Sequence, residues 1–455
     1  MSASTIPMRR VALSGTVGTA IEWYDYFLYG TAAAVVFNKV FFPTFSAAAG
    51  TLAALATFGV GFFARPVGAM VFGHFGDRVG RKAALLTTLT LMAGSSFLIG
   101  LLPGYQTIGV LAPLLLTILR FVQGFALGGE WGGGALIIVE HSPARRRGFY
   151  GSLLGCGVPA GLLLATAAFG AVSLLPDDDF LAWGWRLPFL ASAVMLIVGT
   201  VIRFKVSEPA VFTEIKESQG TSRNPLFETL RHEWRHVLLA GLARFAPDIG
   251  FYVCSTFLIT YVVNDLGLSR DVGLAAQLIG AGLMLLTIPY FGYLSDRIGR
   301  RPVYMISAIA LAVLAPVQFL LLDTKVPALI TVVPLIGLGI SHAAAVAPQA
   351  SFYAELFGTR TRYSGAALGY QLGAPFAGGL APIIATWLIS ATGGETWPVS
   401  VYMLLAAAIS FVALLRAPET RGLPLGAAAG NRQDARPTTV GVDDVTAPLI
   451  RSTGR

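Results

Sequence analysis

The sequence predicts an all-α membrane protein in which twelve transmembrane helices form two six-helix halves, with both termini on the cytoplasmic side. Three observations carry that prediction. Of the 455 residues, 55% are hydrophobic and only 12% are charged, with a mean hydropathy of +0.69, about half the charge of a soluble globular domain. The apolar residues gather in runs of about 20, the length that crosses a roughly 30 Å hydrocarbon core. A ten-residue stretch, Gly73 to Lys82 (GHFGDRVGRK), returns as Gly292 to Arg301 (GYLSDRIGRR) close to half the chain away, which marks an internal duplication.

Composition also excludes function classes. The net charge of +8 would suit a nucleic-acid partner only if the basic residues formed a face with exposed aromatics. Here they sit between apolar runs instead, so no nucleic acid is expected, and the partner surface is the lipid bilayer. Two cysteines, Cys156 and Cys254, lie inside apolar segments and form neither a disulfide framework nor a metal-ligand spacing. No metal and no cofactor is expected. The run from Val11 lacks the small-residue cleavage site of a removable signal peptide, so it reads as a retained first helix.

The runs fall at 11–37, 51–73, 83–102, 108–139, 148–174 and 186–204, then at 237–263, 272–294, 303–322, 327–353, 364–391 and 397–416. They divide the chain into an N-terminal bundle, 1–204, and a C-terminal bundle, 237–416. The polar stretch between them, 205–236, is a cytoplasmic linker. Lysine and arginine placement sets the orientation: Arg9, Arg10, Arg78, Arg81, Lys82, Arg145 to Arg147, Arg297, Arg300, Arg301, Arg360 and Arg362 share one side with the linker. That side is the cytoplasm. The tail 417–455 lacks heptads or an amphipathic period and is expected to be disordered.

A second repeat supports the first. Glu140 is followed by Arg145 and Arg147, and Glu355 by Arg360 and Arg362 at the same offsets. Gly157 and Pro159 on the fifth span then match Gly373 and Pro375 on the eleventh, a pattern suited to helices that bend around a central cavity.

With these residues in view, the chain resembles the major facilitator superfamily up to about Arg416. The resemblance rests on the Gly-x-x-x-Asp-Arg-x-Gly-Arg-Lys loop after the second span, its copy after the eighth and the six-plus-six layout. Within that superfamily GTAIEWYDYFLYG (Gly18 to Gly30), Arg65-Pro66 with Gly68, and RFVQGFALGGEWG (Arg120 to Gly132) resemble the metabolite:proton symporter family. Glu140 to Leu164 is most similar to its shikimate-type branch, from which Leu153 to Cys156 depart. The resemblance implies a secondary transporter, not an enzyme, that takes up a small organic acid with protons across the cell membrane.

The residues point the same way. Charges inside membrane helices are costly and face the bundle interior. On the first span Glu22 and Asp25 share a face that Tyr26 and Tyr29 extend. On the fourth, Arg120, Gln123 and Glu130 form one polar stripe, among glycines that permit close packing. The seventh span carries Arg244 and Asp248 at i and i+4, a pair that could also only hide both charges from lipid. The tenth carries His342, Gln349 and Tyr353 on one stripe. An arginine offers a permanent planar fork to a carboxylate, so Arg120 and Arg244, with Gln123, Tyr26, Tyr29, Gln349 and Gln371, are the candidate contacts of a small organic anion. Glu22, Asp25, Glu130, Asp248 and His342 are the candidate proton carriers. Asp77, Arg78 and Arg81, with their copies Asp296, Arg297 and Arg300, are the candidate cytoplasmic gate. Each chain encloses its own path and is expected to work as a monomer. An exporter of the same fold and an osmosensing zwitterion symporter are the competing readings.

Overall fold

The structure, a computed structural model, describes residues 8–79, 81–128, 131–205, 229, 231–358, 362–423 and 425; side chains at 8–12, 14, 73–79, 81–85, 132, 133, 137, 202–205 and 363 lie outside that description. Its helices follow the predicted runs. In the first half they are α1 (Met8–Val35), α2 (Ala47–Val79), α3 (Arg81–Leu101), α4 (Leu111–Gly128, resumed as Trp131–His141), α5 (Ala144–Ser173) and α6 (Asp177–Val201). The second half holds α7 (Trp234–Asn264), α8 (Arg270–Ile298), α9 (Arg300–Leu322), α10 (Pro327–Leu356), α11 (Ser364–Ala391) and α12 (Trp397–Arg416). Ten of these segments are long and apolar enough to cross a membrane, and Leu86–Leu101 is a shorter apolar helix.

The helices are built inside out relative to a soluble bundle. On α4 Leu111, Leu114, Ile118 and Phe121 are exposed, whereas Arg120, Gln123, Gly124 and Leu127 are buried. Apolar side chains meet lipid, and the polar stripe turns inward. Three of the largest fully buried side chains are the arginines Arg65, Arg120 and Arg300.

Glycine explains how α2 and α4 come together. A Cβ on Gly124 would stand 1.9 Å from the Gly61 carbonyl oxygen, one on Gly128 2.0 Å from that of Arg65, and one on Gly68 1.8 Å from that of Phe125. The two backbones touch along a seam that no larger residue fits.

The sequence repeat is visible in the helix breaks. α5 is interrupted by a turn at Cys156, just before Gly157, and α11 passes into a π-helical segment at Pro375–Gly379. Further π segments occur at Val253–Phe257 in α7 and Gly337–His342 in α10, the kind of local unwinding that recurs at functional sites.

Two boundaries differ from the sequence reading. α6 begins at Asp177, not near 186, because Asp177 to Asp179 form its first turn, where carboxylates favour the positive helix end. The first residues of the tail, 417–423, are irregular but packed against the second half. Thr420 is fully buried and donates to Glu355 at 2.9 Å, while Glu419 accepts from the Arg300 amide at 2.9 Å. Most of the linker 205–236 and residues 426–455 of the tail lie outside the described residues.

Candidate functional site

A central cavity lies between the halves, with about 30 Å³ of space that water can occupy. That holds about two water molecules, against about 150 Å³ for a benzene-sized ligand. Thr19, Trp23, Phe62, Arg65, Trp131 and Val158 line it from the first half, and Arg244, Asp248, Tyr252, His342, Gln349 and Tyr370 from the second.

The strongest polar element is the pair expected on α7. Arg244 Nε and Nη2 donate to the two Asp248 oxygens at 2.9 and 3.0 Å, a bidentate fork. Nη1 donates to the Tyr370 carbonyl at 2.8 Å, and the guanidinium lies 3.6 Å from the Tyr370 ring centroid. Trp131, from the other half, stacks on that ring at 3.7 Å and 12°. One stack therefore joins Trp131, Tyr370, Arg244 and Asp248. Beside it Gln371 donates to the Gly128 carbonyl at 3.2 Å, a second bond between the halves. His342 Nδ1 sits 2.9 Å from the Pro247 carbonyl, and Gln349 donates to the Tyr304 hydroxyl at 3.0 Å.

A second polar cluster lies behind the cavity within the first half. Arg120 donates to Gln123 at 3.1 Å, and Gln123 donates to Ser96 at 2.7 Å. Ser96 in turn donates to the Met92 carbonyl at 3.2 Å, and the buried Asp25 carboxyl accepts from the Ser192 hydroxyl of α6. These bonds tie α4 to α3 and α6 to α1. Tyr26 is fully buried between two cations: its ring centroid is 3.9 Å from the Arg120 guanidinium and 4.3 Å from that of Arg65. Tyr29 donates to Thr57 at 2.6 Å.

Of the expected substrate contacts, then, Arg244 and Gln349 line the cavity; Arg120, Gln123, Tyr26, Tyr29 and Gln371 stand behind its wall. Among the expected proton carriers, Asp248 and His342 line it. Asp25 and Glu22 are buried on α1, and Glu130 lies outside the described residues. Arg65, which the sequence offers only as part of a family-like run, is in the cavity. No polar neighbour at helical spacing singles it out in α2.

Contacts between the halves lie towards both ends of the bundle. At the end that carries the repeated motif, Asp296 accepts from the Gly148 and Phe149 amides at 2.9 and 2.8 Å, capping the start of α5. Arg300 bridges Asp296 at 2.7 Å and Glu355 at 3.2 Å. Arg297 is exposed and lies over Tyr293. The side chains of Asp77, Arg78 and Arg81 lie outside the described residues. At the opposite end Arg270 donates to Asp177 at 2.8 Å and to the Ser173 carbonyl at 3.0 Å.

A cavity between the halves, a bent-helix core and a duplicated six-helix plan are the architecture of inverted-repeat and paired-bundle transporters. The family model described as Major Facilitator Superfamily matches residues 16–368 and 242–440. The chain belongs to the Major Facilitator Superfamily. A shikimate transporter of Escherichia coli (strain K12) is 41% identical over 411 residues, covering 90% of this chain and 94% of its own. A proline/betaine transporter of the same strain is 35% identical, covering 94% of this chain and 88% of its own. Among solved structures, a D-xylose-proton symporter aligns with a TM-score of 0.69 at 20% identity over 92% of this chain and 99% of that one, a likeness of fold. As a member of this superfamily the chain is a multi-pass membrane transporter, not an enzyme.

Proposed function

We propose that the chain carries a small organic acid into the cell together with protons, by alternating access across the cytoplasmic membrane, with the motif end and both termini inside. The observation that carries this reading is the Arg244–Asp248 fork in the cavity wall. A buried arginine keeps its charge. When substrate entering the cavity loosens this fork, Asp248 carries the proton; when substrate leaves, the fork re-forms and the proton is released. Asp25, buried on α1 beside Ser192, is a second proton site. Arg120, Gln123, Tyr26, Tyr29 and Gln371 support the wall that Gln349 and Arg244 complete. Asp296 and Arg300, with Asp77, Arg78, Arg81 and Arg297, act at the cytoplasmic gate, and one chain is the working unit.

The relative named for shikimate, at 41% identity over most of both chains, supports an acid as cargo. The relative named for proline and betaine supports a zwitterion instead. Against the zwitterion stands Arg65, whose guanidinium lies 4.3 Å from the Phe62 ring and 5.3 Å from that of Trp23. It occupies the aromatic surface that a quaternary ammonium would need.

The test is uptake of labelled organic acids by the purified protein in liposomes. A monoanion carried with one proton is neutral and gains nothing from the membrane potential, which is worth about 2.3 kcal/mol per charge per 100 mV. Uptake should therefore follow an inside-alkaline pH gradient, alkalinise the external medium and collapse with a protonophore. Uptake indifferent to the protonophore overturns the coupling, and acidification of the external medium would identify an exchanger or exporter.

A further inference from the structure

We propose that Arg65 receives the carboxylate of the transported acid and that His342, across the cavity, accepts a hydroxyl hydrogen of the same molecule. This rests on the organic-acid reading above and names the chemistry of its ligand.

Arg65 is the cavity cation with donors to spare. It is 2% exposed, yet its Nε and Nη2 have no hydrogen-bond partner among the described residues. A buried guanidinium cannot shed its charge, and each unmatched charged donor carries a desolvation cost that an anion would recover. Arg244 differs, since the Asp248 carboxylate and the Tyr370 carbonyl engage all three of its nitrogens. Arg120 has one unpartnered nitrogen, Nη2, with Gln123 and the Phe58 carbonyl holding the other two, but it is absent from the cavity wall. It acts through Tyr26, whose ring touches both guanidiniums. Two cations on one ring leave this wall with positive charge unbalanced by any contact to a carboxylate among the described residues.

The facing wall offers acceptors. A carbonyl oxygen has no hydrogen to give, so the Nδ1 that meets Pro247 carries the hydrogen in the neutral His342 ring. The Nε2 lone pair is then left for the cavity. Gln349 has its amide nitrogen on Tyr304, which leaves its carbonyl oxygen to accept as well. Between the walls stand Phe251 and Tyr252, flat surfaces suited to the faces of a ring. Donors at one end, acceptors at the other and aromatic sides describe a hydroxylated cyclic carboxylate.

The test measures counterflow in liposomes, which needs no proton gradient, with trihydroxycyclohexenecarboxylate, cyclohexenecarboxylate and the carboxamide of the former. Wild type should prefer the first over both others. R65Q should raise KM for both acids by about tenfold or more, the worth of a lost charge-assisted hydrogen bond, and should stop distinguishing acid from amide. R65K, which keeps the charge without the planar fork, should show a smaller rise and preserve the acid preference. H342F keeps a ring against Phe251 and should erase the preference for the hydroxylated acid while leaving acid over amide intact. An R65Q protein that keeps the wild-type KM and acid preference overturns the carboxylate assignment, and an H342F protein that still favours hydroxyls overturns the other half. Should R65Q not fold, an R65K protein with unchanged KM overturns the assignment in its place. A wild type that transports none of the three refutes the hydroxylated cyclic ligand, while the uptake of other organic acids tests the broader reading.

Discussion

Arg362 of the second half donates to Glu140 of the first at 3.4 Å, and the repeat-related pair, Arg147 and Glu355, meets at 4.0 Å in the opposite sense. Each half thus lends the other an arginine at the same place in the duplicated sequence. The arrangement is a reciprocal clasp at the motif end.

The clasp predicts matched behaviour of the two pairs. Glu140 is partly exposed, so its bond contributes about 1 kcal/mol or less. E140Q should slow transport by about fivefold or less, whereas the charge exchange E140R/R362E should recover much of the loss. Initial uptake rates for both singles and the double form a cycle; a double no better than the worse single would refute the direct contact.

Asp296 is a larger element. It accepts two backbone amides of α5 and the Arg300 guanidinium, bonds of about 1 kcal/mol each, or up to about 3 where charged. D296A should shift the population towards the state open at the motif end by about tenfold or more. A cysteine at Ala350, introduced after Cys156 and Cys254 are replaced, should then react faster with a reagent supplied from the cytoplasmic side. Unchanged labelling would remove Asp296 from the gate.

The Arg244–Asp248 fork separates coupling from folding. Breaking a buried ion pair on one side costs about 3 to 5 kcal/mol, while replacing both partners is often neutral. D248N should lower Tm in detergent and R244Q/D248N should restore it. Neither should accumulate acid against a gradient. A D248N protein with wild-type proton coupling would assign the proton to Asp25 or another group.

The glycine seam makes the plainest structural prediction. G124A places a methyl 1.9 Å from the Gly61 carbonyl oxygen and should destabilise the protein by about 1 to 3 kcal/mol or prevent folding. Gly282 has nothing within 4 Å of such a methyl, so G282A should be neutral or slightly stabilising. Thermal unfolding of the two purified variants decides.

Much of this molecule is legible before any coordinates. Apolar run length and the duplicated motif set the helices and the halves, because bilayer thickness and backbone hydrogen bonding leave few alternatives. The start of α6 was hidden because three consecutive aspartates look like a loop until their place at a helix N-terminus is seen. Arg244 and Asp248 are legible as a pair because both lie on one helix at i and i+4. Arg65 is not. Whether it or Arg120 reaches the cavity depends on how α2 is rotated against α4, and that rotation is fixed by the contact of Gly61 with Gly124 and of Arg65 with Gly128. The Trp131–Tyr370 stack likewise joins residues far apart in sequence, and nothing local announces it.

The seam between α2 and α4 has a consequence for the working cycle. Two backbones in direct contact cannot slide without collision, so Arg65 and Arg120 travel as one casting. The compliance of the machine belongs elsewhere, in the π segments of α7, α10 and α11 and in the one at Phe180–Gly184 of α6, where helical pitch is already relaxed. Cargo preference can therefore be retuned on the facing wall while the positive jaw stays as it is.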